Sequence, residues 1–345
     1  MNSGQSTYRP MRVVLYSPNF YPLTGGLEHV VRYLAEAFQR KGCRVTVICH
    51  TLGRQPDAFP FRVLRRAGLW REWVALRQAD AILLFNISLK ALPVVVLAGR
   101  PWVVSHQTPY GADGRGRLKR WVARRMAVRN ICCSAHLATD LQVPQVVVVP
   151  NPYDEGTFRN AQPWVFRDRD VAFVGRLVSD KGVSVLLEAL ARLHAQGMRL
   201  HLTVVGDGPE APALHQQCAA LRLSKWVFFE GERRGDALAE LLQRHRVLVV
   251  PSIWPEPFGI VALEGLACGC IVVASNTGGL PEALGSLGVL VPAGNAVALA
   301  EALARIWTQP FDYLPAPERV AAHLSAHTRD AIADRYLAVI NEIAR

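Results

Sequence analysis

Residues 170–205 read DVAFVGRLVSDKGVSVLLEALARLHAQGMRLHLTVV, and this stretch decides the fold class. The apolar runs at 170–174 and 200–205 are short and rich in β-branched residues, which predicts two strands. Residues 183–196 between them carry apolar side chains at helical spacing, which predicts a helix. Strand, helix and strand in this order indicate two parallel strands joined by a crossover helix.

The same alternation continues on both sides of this unit. Prolines and a glycine at 150–163 interrupt it, which indicates a division of the chain. We therefore predict an α/β protein with two Rossmann-like doubly wound domains, 11–163 and 164–327, that face a central cleft. Residues 328–345 are expected to form a helix that packs back toward the first domain, and residues 1–10 a disordered leader.

The composition of the 345 residues excludes several classes of protein. Hydrophobic residues make up 50% and charged residues 19%, which is the balance of a folded globular chain. No run approaches the roughly 18 apolar residues of a membrane-spanning helix. The seven cysteines have the spacing of neither a disulfide framework nor a zinc site, so we expect a reduced, cytoplasmic protein.

Positive charge is concentrated in the first half of the chain. Up to residue 163 there are 22 basic and 9 acidic residues, whereas the remainder has 17 and 19. A surplus of this kind is typical of proteins that bind a polyanion, an anionic membrane or a phosphorylated ligand.

Two cations follow the predicted strand at 170–174. Arg176 and Lys181 lie in the loop that opens at Gly175, where a pair of fixed cations is suited to clamp a diphosphate and to neutralise a departing phosphate. Two solvated surface cations are the alternative interpretation. The glycine turns at 25–26 and 206–208 follow other strands and are weaker signals, because either is compatible with an ordinary turn.

The strongest pattern is PEPFGIVALE at 255–264. Its helix N-terminus offers amide donors to a phosphate, and Glu256 and Glu264 are suited to bind sugar or ribose hydroxyl groups. The alternatives are a contact with the helix dipole for Glu256 and a solvated helix face for Glu264. His106 follows the strand at 102–105, where a structural role is the alternative to a functional one.

Together and in this order, these motifs resemble the family-4 retaining glycosyltransferases of GT-B architecture. The resemblance runs from about residue 11 to the end, and it is most specific at 173–182, 205–210 and 251–282. It implies metal-independent, front-face transfer of a sugar from a nucleoside-diphosphate sugar, UDP favoured over GDP, with no cofactor. The implied acceptor is a hydroxyl of a glycan or lipid-linked molecule in cell-surface polysaccharide, lipopolysaccharide or glycolipid synthesis.

The resemblance also implies roles for individual residues. Arg176 and Lys181 match the pair that binds the donor diphosphate, Glu256 the acid at the sugar hydroxyls, and Glu264 the acid at the ribose. With His106, which matches the histidine near the transferred sugar, Arg176, Lys181 and Glu256 form the predicted catalytic set. The other predicted donor-binding residues are Gly25, Gly26, Gly175, Gly206, Asp207, Gly231, Glu232, Arg233, Phe258, Gly259 and Ile260.

Two stretches of the basic half, 62–77 and 115–129, predict amphipathic helices with apolar stripes among arginines. The stripes consist of Leu69, Trp70, Trp73 and Leu76, and of Leu118, Trp121, Val122 and Met126. One interpretation is that both stripes pack on the sheet. The other is that the helices bind an anionic membrane surface, on the inner face of the plasma membrane.

Other functions remain open from the sequence. A nucleotide-sugar epimerase of the same architecture would rearrange its donor without any acceptor. A nucleic-acid-binding protein would need aromatic and basic residues on a sheet face, whereas the basic residues lie mostly on predicted helices. The intact Arg176, Lys181, Glu256 and Glu264 argue against a non-catalytic GT-B-like protein. No G-x-G-x-x-G follows the first strand, which disfavours a nicotinamide dehydrogenase.

Overall fold

The computed structural model describes residues 9–23, 25–53 and 58–344. The chain divides into two compact units, one formed by Met1–Pro152 with Arg329–Arg345 and the other by Tyr153–Thr328. The second unit therefore begins eleven residues ahead of the predicted position 164. Residues 1–8 of the predicted leader lie outside the described residues.

The first unit alternates strands and helices. In chain order the elements are β1 (Arg12–Tyr16), α1 (Gly26–Arg40), β2 (Arg44–Cys49), β3 (Arg62–Arg65), α2 (Leu69–Arg77), β4 (Ala81–Phe85), α3 (Leu92–Leu97), β5 (Trp102–His106), α4 (Gly114–Arg125), β6 (Arg129–Cys132), α5 (Ala135–Leu141) and β7 (Val146–Val148).

The seven strands of this unit form a parallel sheet in the order β3-β2-β1-β4-β5-β6-β7. β4 and β5 are buried along their whole length, as expected for strands covered on both faces. The unbroken helix predicted at 62–77 is wrong: residues 62–65 form edge strand β3, and Gly68, with φ +77°, precedes α2. A glycine adopts this left-handed conformation without the strain of a Cβ atom.

The last helix of the chain completes the first unit. α13 (Arg329–Ile343) packs against α1, and Tyr336 is fully buried there. Its hydroxyl lies 2.7 Å from Ser105 Oγ at the end of β5. At the surface Arg40 pairs with Asp330 and Lys41 with Asp334.

The second unit repeats the pattern of the first. Its elements are β8 (Arg169–Val174), α6 (Val183–Ala195), β9 (Leu202–Val205), α7 (Ala211–Ala220), β10 (Val227–Gly231), α8 (Gly235–Arg244), β11 (His245–Val250), α9 (Ile260–Ala267), β12 (Ile271–Ser275), α10 (Leu280–Leu284), β13 (Val289–Val291), α11 (Ala296–Thr308) and α12 (Pro317–Ser325).

The six strands of the second unit are parallel and follow the order β10-β9-β8-β11-β12-β13. α6 and α11 pack side by side on one face, over a core of leucine, valine and isoleucine side chains from both helices and from the strands. The α/β prediction of two Rossmann-like units is confirmed, and each sheet has the strand order of a dinucleotide-binding fold. None of the described helices is both long and apolar enough to cross a bilayer.

Candidate active site

The site in the second unit lies where the strand order reverses. β8 pairs with β9 along one edge and with β11 along its other edge, and β11 pairs in turn with β12. The loops after β8 and β11 therefore leave the same sheet edge as neighbours, which is where open α/β sheets bind ligands. They are in contact: Ile253 N donates to Asp180 O at 2.8 Å, and a Cβ on Gly182 would lie 2.0 Å from Pro251 O.

This contact brings together two of the predicted catalytic residues. Lys181 Nζ, after β8, lies 2.6 Å from Glu256 Oε1, after β11. The lysine side chain is 30% exposed and the glutamate 13%, so the pair is only partly shielded from water. Ser252 Oγ donates to the same Oε1 atom. Two donors on one oxygen fix the carboxylate and leave Oε2 available to a further donor.

Arg176 differs from Lys181 in having an exposed side chain. Within the described ranges, no carboxylate forms an ion pair with it. Its loop is held by backbone contacts: Gly175 N donates to Val205 O at 3.0 Å, and Leu177 N donates to Asp207 O at 2.9 Å. Arg176 is thus a solvated cation on an anchored loop, available to an anionic ligand.

Gly206, directly after β9, allows the loops after β8 and β9 to pack closely. Gly206 has φ +138°, and a Cβ there would lie 1.8 Å from Gly175 O. Gly206 N also donates to Gly231 O at 2.8 Å. Both the backbone conformation and the available space therefore require glycine at 206.

The segment before α9 is held in place by the turn at 278–279, a contact that sequence reasoning did not identify. Gly278 has φ +61°, and a Cβ there would lie 2.2 Å from Glu256 O. Gly279 N donates to Glu256 O at 2.7 Å, and a Cβ on Gly279 would lie 2.8 Å from Phe258 Cα. The turn at 278–279 thus lies directly behind the segment that carries Glu256. The glycine pair is visible in the sequence, within the stretch 251–282 on which the resemblance rests.

Phe258, Gly259 and Ile260 form the entry to α9. The Phe258 ring is buried and stacks on His327, with ring centroids 6.0 Å apart. Gly259 adopts φ +100°, and the helix begins at Ile260. The buried ring and the left-handed glycine fix where the free N–H groups of α9 point.

Glu264 lies one turn into α9 and is partly buried. Burial, with a smaller contribution from the carboxylate of Asp154, raises the pKa of Glu264 to about 7. Asp154 is another residue that sequence reasoning missed. It belongs to an Asp-Glu-Gly turn after the boundary at 152, and no strand or helix pattern singles it out.

Of the remaining predicted donor-binding residues, Asp207 follows β9, whereas Gly231, Glu232 and Arg233 form an exposed segment at the end of β10. Asp207 accepts from Gly208 N at 2.7 Å, and Gly231, with φ +65°, ends the strand. Glu232 pairs with Arg234, and Arg233 pairs with Glu230 at 2.9 Å. Arg233 also lines a shallow pocket of about 580 Å³ whose wall includes Phe229 and His215.

His106 ends β5 in the first unit and is fully buried. Its Nε2 lies 2.9 Å from Asn130 Oδ1 and its Nδ1 lies 2.8 Å from the Tyr110 hydroxyl. Because Asn130 Nδ2 donates to two backbone carbonyls, its Oδ1 faces the ring and accepts from Nε2. Burial, partly offset by the Asn130 bond, lowers the pKa of His106 to about 4. A contact between this ring and a sugar requires release of one of these bonds, and the catalytic role stays a prediction.

Gly25 and Gly26 lie at the beginning of α1, also in the first unit. Gly25 is the N-cap residue, and a Cβ there would lie 2.7 Å from a carboxylate oxygen of Glu28. The Glu28 side chain is buried. The glycine thus leaves room for an acid that folds back over the helix N-terminus. Like His106, these glycines are not in the unit that holds the other predicted site residues.

Two family models match the chain in succession. The model described as Glycosyltransferase Family 4 matches residues 24–156, and the model described as Glycosyl transferases group 1 matches residues 154–322. The chain belongs to the family-4 glycosyltransferases. The family thus accounts for both units described above.

Individual relatives agree with the family-4 assignment. The chain is 29% identical over 367 residues to the glycogen synthase of Mycobacterium tuberculosis, covering 87% of each chain. It is 26% identical over 308 residues to the phosphatidylinositol N-acetylglucosaminyltransferase gpi3 subunit of Schizosaccharomyces pombe, covering 79% of this chain and 67% of that one.

A solved structure establishes the fold of the family-4 chain. Anabaena HepE, crystallised with UDP and glucose, superposes with a TM-score of 0.82 at 22% identity, covering 96% of this chain and 99% of that one. The fold is therefore the GT-B architecture. The two family models identify the chain as a glycosyltransferase.

Proposed function

We propose that this family-4 enzyme transfers a hexose, with retention of anomeric configuration, from a nucleoside-diphosphate sugar to a hydroxyl of a glycan or lipid-linked acceptor. The observation that carries the proposal is the meeting of Lys181 and Glu256 at the switch point of the second sheet, 2.6 Å apart. A cation for phosphate and a carboxylate for sugar hydroxyls are thereby adjacent.

Each residue has a chemical task in this proposal. Arg176 and Lys181 bind the diphosphate and stabilise the charge on the departing phosphate, and the N–H groups at 258–260 bind the same anion. Glu256 accepts hydrogen bonds from the sugar, and Glu264 accepts them from the ribose. The proposal includes no resident metal or cofactor, because these cations and amides themselves stabilise the negative charge on the departing phosphate.

In the proposed front-face reaction, the bond between the anomeric carbon and the phosphate oxygen breaks and its electron pair stays on the phosphate. The acceptor oxygen bonds to the anomeric carbon from the same side, and its proton passes to the departing phosphate oxygen. UDP is the proposed carrier, which the UDP complex of the HepE structure supports. The names of the two relatives above, one a polysaccharide synthase and one a phosphatidylinositol transferase, support a glycan or lipid-linked acceptor.

We further propose a cytoplasmic location and a role in cell-surface polysaccharide, lipopolysaccharide or glycolipid synthesis. The seven cysteines are buried, and no disulfide joins any two of them, which supports a reducing compartment.

The test begins with a thermal-shift screen of UDP-, GDP- and ADP-sugars, because a donor that binds the folded protein stabilises it by mass action. The stabilising donor is then incubated with glycan and lipid-linked acceptors, and the anomeric configuration of the product is read by NMR. Inversion would contradict the retaining mechanism. An isomerised sugar formed from the donor alone would favour the epimerase.

A further inference from the structure

The first unit has an exposed apolar surface on α2 and α3, which pack against each other. Leu69 and Trp70 on α2 are 72% and 71% exposed, and Val96 and Leu97 on α3 are 44% and 71% exposed. We call these four residues the α2–α3 patch. Clusters of large apolar side chains exposed to this extent are uncommon on soluble proteins, and they mark interaction sites.

The exposure of the patch is not a consequence of poor packing. α2 turns Leu76 and Glu72 inward, at 0% and 3% exposure, and α3 turns Val94 and Val95 inward. Trp70 lies on the side of α2 away from these buried residues, and Leu69 is exposed as the first residue of the helix. Val96 and Leu97 likewise project away from the buried side of α3. The sequence pattern places Leu69, Trp70 and Leu76 in one predicted stripe, whereas in the structure Leu76 is buried and Leu69 and Trp70 are exposed.

The patch has a fixed geometry. The rings of Trp70 and Trp73 stack with centroids 5.0 Å apart. Trp73 Nε1 donates to Leu97 O at 3.3 Å, which ties α2 to the end of α3. Arg77 lies over the Trp73 ring at 5.9 Å and also donates to Ala98 O. Because these bonds already hold the helices together, the patch loses little conformational entropy when it meets a partner.

A basic rim surrounds the patch. Arg71, Arg77 and Arg100 are exposed, and Arg100 Nε donates to Arg77 O at 2.8 Å. The acids of this segment do not neutralise the rim: Glu72 is buried, and Asp80 binds Arg9 and the Arg12 amide. Between residues 62 and 140 the sequence has 14 basic residues and 4 acidic ones.

The positive surface continues onto α4. The connections β3-α2-β4, β4-α3-β5 and β5-α4-β6 all run in one direction across the sheet, so right-handed crossovers put α2, α3 and α4 on the same face. On α4, Leu118 and Trp121 are 46% and 54% exposed, whereas Val122 is buried. The second predicted stripe is thus also divided between core and solvent, and its exposed part lies among arginines.

From these observations we infer that the α2–α3 patch docks the first unit onto an anionic lipid membrane, with the α4 cations as a second contact. Tryptophan and leucine insert at the level of the headgroups, and arginines contact the anionic lipids beside them. A second copy of the same face would bring like charges together, which argues against self-association. The inference is independent of the donor chemistry proposed above.

The experiment measures co-sedimentation of the full chain with vesicles of phosphatidylcholine alone and of phosphatidylcholine with phosphatidylglycerol. The test variant replaces Trp70 and Leu97 together by alanine. The matched control is Phe166→Ala, since Phe166 is 73% exposed in the second unit and its loss removes a comparable exposed apolar group. A charge variant, Arg71→Glu, separates the ionic from the apolar contribution. Circular dichroism and thermal melting check that each variant is folded.

We expect binding to the anionic vesicles that falls as salt rises, and a loss of at least about tenfold in the double variant. Arg71→Glu should weaken only anionic-vesicle binding, and Phe166→Ala should bind like the unaltered chain. Equal binding to both vesicles, or equal loss in Phe166→Ala, would overturn the inference. Competition between duplex DNA and the vesicles for the same residues would also overturn it. A dimer seen by light scattering and abolished in the double variant would do the same.

Discussion

Lys181 Nζ lies 2.6 Å from Glu256 Oε1, and the two residues come from loops that follow different strands of one sheet. The lysine is thereby aligned by an acid that is itself fixed by Ser252. A diphosphate that binds Lys181 competes with Glu256 for the same ammonium group. Binding of the donor therefore changes the surroundings of the carboxylate that is proposed to hold the sugar.

Replacement of Lys181 by alanine should lower kcat/KM for transfer by well over tenfold, which is about 1.4 kcal/mol or more. The cation for the departing phosphate is lost, and Glu256 loses a partner. Lys225→Ala, at an exposed position of the same unit, is the matched control. Steady-state kinetics and donor titration measure both. If Lys181→Ala left donor binding and turnover unchanged, Lys181 would not be part of the diphosphate site.

Replacement of Ser252 by alanine should lower kcat by about fivefold, since one hydrogen bond of about 1 kcal/mol to the Glu256 carboxylate is removed. The donor diphosphate does not touch the hydroxyl in this proposal, so KM for the donor should change less than kcat. Ser252→Thr keeps the hydroxyl and should restore most of the rate. A large change in KM with unaltered kcat would argue against a positioning role.

Replacement of Gly206 by alanine should weaken donor binding and also destabilise the second unit. The new Cβ meets Gly175 O and forces apart the loops after β8 and β9. Gly197→Ala is the control, because Gly197 also has positive φ, at +86°, but has open space around it. Its cost should be limited to about 1–2 kcal/mol of backbone strain. Equal effects of the two variants on donor titration would show that the Gly206 contact is unimportant.

Replacement of Glu264 by glutamine should stabilise the fold at pH 8 while weakening donor binding. The pKa of Glu264 is about 7 in the folded protein, against about 4.5 for a glutamate in water. The unaltered protein thus loses stability as pH rises from 4.5 to 7, on the order of 2 kcal/mol. Urea unfolding at pH 4.5 and pH 8 measures the difference. A variant that gains nothing at pH 8 would contradict the raised pKa.

Acid should destabilise the protein through its buried histidines. Burial lowers the pKa of both His106 and His245 to about 4, from 6.5. Between pH 6.5 and 4 the unfolded chain binds protons that the folded chain does not, so the unfolding free energy falls as pH falls. His245→Gln should flatten this dependence, whereas His136→Gln, at an exposed position, should not. Parallel urea midpoints for these two variants would contradict the expectation.

The fold was predictable from sequence because apolar runs and helical spacing alternate through the chain. The loop after β8 and the PEPFG segment were predictable for a related reason, since both carry unusual polar residues immediately after strands. The Lys181–Glu256 contact was not, because it depends on β8 and β11 being neighbours, and residues 75 positions apart do not reveal strand order. Ser252 and Asp154 escaped notice because they belong to no motif by themselves.

The basic helices show a second limit of prediction from sequence, which concerns helix rotation. Periodicity identifies residues that share a helical stripe, but it does not say how the helix is rotated against the sheet. Trp121 and Val122 are adjacent in the same predicted stripe, yet one is 54% exposed and the other 1%. β3 was missed because its four residues, RVLR, include two arginines and show no alternation, so they resemble the start of the basic helix.

The return of α13 to the first unit has a consequence for the order in which the protein folds during synthesis. Tyr153–Thr328 is one continuous segment and has all its parts as soon as residue 328 leaves the ribosome. The earlier segment still lacks Tyr336, whose hydroxyl meets Ser105. The first unit, most of which is translated first, therefore completes its folding last. Until residues 329–345 emerge, it exposes the surface of α1 that α13 covers, where a chaperone would bind.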